Sequence, residues 1–178
     1  MSTIVTTDTP QEVKRQGASH TLSILVNNDP GVLMRICQVF SRRAFNIDSL
    51  VVSEGRDANF SRMTIDVSGN PEGLEQIIKQ VNKLIDVIHC YEHKEENAVV
   101  REMLLLKINV DADHRSEVLQ IIEHFAGKTV DFTPNSLIGM FTGTSSKIDA
   151  ILNSVSPYDV VETVRTGKVV MARGGQPT

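Results

Sequence analysis

Amphipathic segments follow one another in the order β-α-β-β-α-β twice along this chain, and no other feature of the sequence restricts its fold as much. Over residues 20–26 the apolar Leu22, Ile24 and Val26 fall on every second position, the period of a half-buried strand. Asn27-Asn28-Asp29-Pro30-Gly31 interrupts it. Val32, Leu33, Ile36, Val39 and Phe40 then make one apolar helical stripe, with Arg35, Gln38, Arg42 and Arg43 mainly off it. Asp29 is expected to cap this helix and Pro30 to sit in its first turn, where a missing N–H costs nothing. Two β-rich runs, 46–53 and 61–68, flank the polar Glu54-Gly55-Arg56-Asp57-Ala58-Asn59 and predict a hairpin. Asn70-Pro71-Glu72-Gly73 opens a second helix with the stripe Leu74, Ile77, Ile78, Val81 and Leu84, and a strand over 85–93 completes the unit.

After the short linker Glu95-Glu96-Asn97 the order recurs. Residues 103–110 read as a strand, and Val118, Leu119, Ile122 and Phe125 mark a helix capped near Asp113. Strands over 129–132 and 137–141 are turned by Thr133-Pro134-Asn135-Ser136. Gly143-Thr144-Ser145-Ser146 starts a helix bearing Ile148, Ile151, Leu152 and Val155, and 160–164 is the last strand. Val26 precedes Val110 by 84 residues and Phe40 precedes Phe125 by 85, so one pattern is used twice with few identities. The fold class is therefore α+β: two ferredoxin-like βαββαβ domains, each an antiparallel sheet with helices on one face. The expected division is a flexible lead-in over 1–19, domains over 20–95 and 99–173, and a tail over 174–178. Leu104, Leu106 and Ile108 point one way and Met103 and Leu105 the other, leaving an apolar sheet face without helices; at least a dimer is expected.

Composition excludes several function classes. Eighteen Lys and Arg against 22 Asp and Glu leave a net charge of −4, no field for polyanions, and 4% aromatics supply few stacking platforms, so no nucleic-acid partner is expected. Two cysteines cannot build a disulfide framework, and the first 19 residues carry no targeting pattern, so a reducing, cytoplasmic location is expected. No run approaches the 18 or more apolar residues of a spanning helix, so no membrane partner is expected either.

The most informative segment for function is Asn28-Asp29-Pro30-Gly31-Val32-Leu33. A glycine where a helix begins bares unpaired amide N–H groups to a carboxylate or phosphate. An α-amino acid fits such a place, its carboxylate on those N–H groups and its ammonium on an Asn carbonyl. Asn46 is expected to approach the same end of the sheet. Asp-Pro-Gly is equally a plain helix start, as Asn70-Pro71-Glu72-Gly73 illustrates, and on residue chemistry both readings stand. Cys37 continues the first helix's stripe as a structural thiol. Cys90 and His89 are strand neighbours on opposite faces, poorly placed as nucleophile and base. His89 and His93 lie about 13 Å apart on one strand face, too far for one metal. No metal site is expected.

Several ordered stretches resemble one family. Besides the Asp-Pro-Gly element they are Phe40-Ser41-Arg42-Arg43 with Phe45-Asn46-Ile47-Asp48-Ser49-Leu50, Ser61-Arg62-Met63-Thr64-Ile65 and Lys83-Leu84-Ile85-Asp86-Val87. Further along come Arg101-Glu102-Met103-Leu104-Leu105-Lys107, Val130-Asp131, Gly143-Thr144-Ser145-Ser146-Lys147-Ile148-Asp149-Ala150 and Arg165-Thr166-Gly167. Residues 20–93 resemble an ACT domain, a ligand-sensing module of amino-acid metabolism, and 20–173 resemble the small regulatory subunit of acetohydroxyacid synthase (acetolactate synthase). The resemblance implies a non-catalytic subunit of branched-chain amino-acid synthesis that binds and activates a large catalytic subunit and confers feedback inhibition by valine. It implies a homodimer whose effector site takes Asn28, Asp29, Gly31, Val32 and Leu33 from one protomer and Asn46 and Ile47 from its neighbour. Thiamine diphosphate, Mg²⁺ and FAD would belong to the catalytic partner, and this chain would carry no cofactor; it has no Gly-Asp-Gly run with a downstream Asn, no P-loop and no G-x-G-x-x-G. Ala44 stands where the family usually has Gly. A free-standing amino-acid sensor acting on another enzyme or regulator is the alternative, against which the Gly143-Thr144-Ser145-Ser146-Lys147 stretch speaks.

Overall fold

The alternation of Leu22, Ile24 and Val26 does build a strand whose apolar side is fully buried under two helices. The computed structural model describes residues 18–94, 96–175 and 178. Its first half runs β1 (Ala18–Asn27), α1 (Val32–Ser41), β2 (Asn46–Glu54), β3 (Phe60–Gly69), α2 (Pro71–Val81) and β4 (Val87–His93), with sheet order β2-β3-β1-β4, antiparallel throughout. Ile36 and Phe40 of α1 and Leu74, Ile77 and Val81 of α2 close over Leu22, Ile24, Met63, Ile65 and Val67. The expected lead-in lies outside the described residues except for Ala18 and Ser19, which open β1. Ile85, expected to begin the last strand of this half, is 93% exposed ahead of β4.

The second half repeats the plan with β5 (Ala98–Asn109), α3 (Arg115–His124), β6 (Lys128–Phe132), β7 (Ser136–Gly143), α4 (Ser145–Val155) and β8 (Asp159–Arg165), in the order β6-β7-β5-β8. Leu104, Leu106, Ile108, Leu137 and Phe141 pack beneath Val118, Ile122, Ile148 and Ile151. Two features depart from the sequence reading. β5 begins at Ala98, not at residue 103, and its early residues pair with an unforeseen strand, β9 (Val169–Ala172). α3 starts after His114, whose amide donates to Asp111 Oδ1, so Asp111 and not Asp113 holds its start.

The two open sheet faces differ. Met103, Leu105, Ile138 and Met140 of the second sheet are half-buried apolar residues, the face expected from the sequence. The open side of the first sheet is largely polar and nonetheless buried at Thr21, Ser23, Thr64 and Asp66; Gly167 and Lys168 lie against it beside Ser49, Val51 and Asp66, and Thr178 beside Arg62. Among the described residues no helix is long and apolar enough to cross a membrane.

Candidate functional site

α1 begins differently from two of the other helices. Asn70 caps α2 by accepting from Glu72 N, and Thr144 caps α4 by accepting from Lys147 N. At α1 the cap residue is Gly31, in the left-handed region at φ 84°, with no side-chain cap and no acidic residue in the first turn. This corrects the expectation for Asp29 and Pro30, which precede the helix: the left-handed Gly31 stands between them and Val32 and takes the cap position itself. Asp29 contributes its carbonyl, which accepts from Val32 N at 3.4 Å. The helix start is thus left with N–H groups that no side chain satisfies.

Surrounding groups hold this opening in place. Asn28 Nδ2 donates to Ala58 O at 3.0 Å, its Oδ1 accepts from Ser61 Oγ at 2.8 Å, and its amide donates to Asn59 O. Asn28 therefore ties the connection between β2 and β3 down beside the helix start. One turn on, Arg35 Nε donates to Asp86 Oδ2 at 2.8 Å, and a Cβ on Gly31 would come 3.3 Å from Arg35 Nη1. Val32 is buried in the core and offers only its backbone, whereas Leu33 is exposed. The sequence places Arg35 off the apolar stripe and Asp86 in a family-like stretch but does not pair them; the available signal is Arg35 four residues after Gly31, one helical turn away.

Asn46 and Ile47 do not share this end of the sheet. Asn46 pairs with Ser68, which pairs with Ser19, while Asn28 follows Asn27 opposite Phe60. From Ser19 to Asn27 is about 26 Å at about 3.3 Å per residue. The cause is the crossover: α1 runs back along the sheet, so β2 starts where β1 started and runs parallel to it. Asn46 is exposed with Nδ2 donating to Asp48 Oδ1 at 2.6 Å, and Ile47 packs half-buried against the core.

The remaining candidates have structural settings. Burial pushes the Cys90 thiol up to about 12, which keeps it protonated and inert. Cys37 is half-buried. His89 stacks on Tyr91 at 4.8 Å, and His114 pairs with Asp111 at the start of α3. Arg43 Nε donates to Gln80 Oε1 between α1 and α2.

Three stretches far apart in the sequence converge in the second half. Glu102, buried, accepts from Arg165 Nε at 3.0 Å and Nη2 at 2.6 Å, and from Ser145 Oγ; Arg165 Nη1 also donates to Asp149 Oδ1 at 2.8 Å. Burial works against the charge of Arg165, but the bonds to Glu102 and Asp149 outweigh it and raise its pKa.

Two ferredoxin-like halves, the first with a glycine-opened junction between strand and helix, define an ACT-type protein. The model of the AHAS small subunit-like ACT domain matches residues 22–89, and that of the small subunit of acetolactate synthase matches 101–174. Acetolactate synthase small subunit of Mycolicibacterium smegmatis is 45% identical over 156 residues, covering 88% of this chain and 92% of that one. The probable small subunit of Archaeoglobus fulgidus is 40% identical, over 88% and 98%. The crystal structure of the Thermotoga maritima acetolactate synthase small subunit superposes with a TM-score of 0.81 at 38% identity, covering 89% of this chain and 99% of that one. The chain belongs to the acetolactate synthase small-subunit family.

Proposed function

We propose that this chain is the regulatory, non-catalytic subunit of an acetolactate synthase, binding and activating a large catalytic subunit and making it sensitive to valine. The chemistry, with thiamine diphosphate, Mg²⁺ and FAD, belongs to that partner. The observation that carries the reading is the uncapped start of α1 at Gly31, in a chain matched along nearly its whole length by the small-subunit family. The carboxylate of a branched-chain amino acid takes the N–H groups at that start, as helix N-termini take anions. Leu33 is exposed beside it for an apolar side chain.

The separation of Asn28 from Asn46 supports a site shared by two chains. β2 is an edge strand, paired with β3 on one side only. Two copies joined antiparallel along β2 about a two-fold axis would set Asn46 of one beside the Glu54 end of the other. That end is the one where Ser61 pairs with Val26, next to Asn28. Asn46 Oδ1 then serves the ammonium. An effector held between two protomers stabilises one arrangement over another, so its affinity and the state of the catalytic complex are linked reciprocally.

Calorimetry with valine, leucine and isoleucine, combined with co-purification, tests this. One of the three should bind, more weakly to Asn28→Ala, and a thiamine diphosphate-dependent large subunit should co-purify. No binding of any of them refutes the sensing role. Binding without a co-purifying large subunit would instead mark a free-standing sensor.

A further inference from the structure

The polar face of the first sheet is closed by a charge from the other half of the chain. Asp66, in β3, is 4% exposed. Its Oδ1 accepts from Thr21 Oγ1 and its Oδ2 from Ser49 Oγ, both at 2.6 Å. Lys168 Nζ reaches the same carboxylate, 3.1 Å from Oδ1, and lies 3.4 Å from Thr21 Oγ1. Gly167 precedes it at φ +81°, so close that a Cβ there would sit 2.8 Å from Ser49 Cβ. The left-handed glycine lets the backbone press against β2 while the lysine reaches over β3 and β1.

Behind this contact the segment is bolted to the second half. Thr166 N donates to Met103 O and Thr166 Oγ1 accepts from Met103 N, while Arg165 grips Glu102 and Asp149. Four consecutive residues, 165–168, thus connect the start of α4 and strand β5 to a buried carboxylate of the first sheet. On the other side, Ser49 lies on β2 two residues past Ile47, and the register of β2 shifts between Ile47 and Ser49. A displacement of β2 at its irregular point would move Ser49 against both Asp66 and Gly167. Such a shift is costly, because a buried carboxylate that loses its cation or a hydroxyl is left uncompensated.

We infer that Lys168 is a positioning residue: through Asp66 and Ser49 it couples occupancy of the effector site on β2 to the placement of the second half of the chain. This rests on the reading that Asn46 and Ile47 form part of that site.

The test uses the full chain reconstituted with its large subunit, following acetolactate formation against valine, with calorimetry of valine on the small subunit alone. Lys168→Met should leave the stimulated rate within about twofold of wild type, and valine should still saturate the isolated chain. The half-inhibitory valine concentration should rise about tenfold or more, the size of an ordinary coupling between sites, and Lys168→Arg should restore it. An unchanged half-inhibitory concentration in Lys168→Met overturns the inference, as does a loss that Arg leaves unrepaired. In the unaltered protein, valine should slow amide exchange over 165–169; exchange there indifferent to valine also overturns it, with no variant needed. A wild-type complex that ignores valine, leucine and isoleucine overturns the effector reading itself, and the coupling with it.

Discussion

Gly31 separates backbone strain from ligand competition. At φ 84° it occupies a conformation that costs an L-residue about 1–2 kcal/mol. The contact of a new Cβ with Arg35 Nη1, at 3.3 Å, adds little because Nη1 is the far end of a long side chain that needs to give only a few tenths of an ångström while Nε stays on Asp86. Gly31→Ala should therefore lower the melting temperature by about 2–8 °C, at roughly 2–4 °C per kcal/mol for a chain of this length. Gly31→Asp carries the same strain, but its carboxylate lies at a helix N-terminus and regains about 0.3–1 kcal/mol, so it should melt no lower than the Ala variant. Effector binding should rank the two the other way. A carboxylate's charge-assisted hydrogen bond is worth about 1.5–3 kcal/mol, and a resident Asp competes for the same N–H groups. Gly31→Asp should weaken valine binding about 10- to 150-fold, and Gly31→Ala less than about tenfold. Thermal melts and calorimetry on the same samples read both quantities. Wild-type valine affinity in Gly31→Asp would refute the placement of the carboxylate. Equal weakening by Ala and Asp would mean that strain, not competition, carries the effect.

Three further outcomes follow from the charges and the thiol. Glu102→Gln leaves Asp149 as the one carboxylate on Arg165, with at most an amide oxygen where Glu102 stood; since Arg165 is 31% exposed on its side chain, the loss should fall at the lower end of the range for a broken buried pair, about 3 kcal/mol, in a denaturant titration, and a loss under about 1 kcal/mol would contradict this. Burial pushes Cys90 up to about 12, whereas in the unfolded chain it ionises near its ordinary value of about 8.5. The folded state keeps a proton that the unfolded state releases, so the contribution is whole below about pH 8.5 and falls by about 1.4 kcal/mol per pH unit above it; Cys90→Ala should flatten that slope. In an NMR titration His114 should lose its proton above the usual histidine range, because Asp111 bonds to it. His93 should lose its proton below that range, because burial, then Arg62 and His89, disfavour its charge; the reverse order would contradict the structure.

The core was legible because it depends on period alone. Leu22, Ile24 and Val26, or Val118 and Ile122, report their burial through spacing, and the structure buries them all. What spacing cannot carry was missed. Asp29-Pro30-Gly31 reads as an ordinary start until Gly31's positive φ is known, since Asp and Gly both suit helix starts. The separation of Asn28 and Asn46 depends on the return path of α1, which no local pattern states. β9 is four residues long and meets β5 some 70 residues away in sequence, Arg101 pairing with Val169, so neither strand end has a local signal. Asp66 sits at a polar position of an alternating strand and reads as solvent-facing; only the arrival of Lys168 from the other half makes it a buried ion pair.

The central claim is regulation of a catalytic partner by an amino acid bound to this chain. Its most direct test is the rate of acetolactate formation by the large subunit, with and without this chain, across a valine titration. Adding the chain should raise the rate and valine should then lower it in a saturable way, while the large subunit alone responds less to valine. A rate unaffected by the chain, or a valine response already complete without it, would contradict the account.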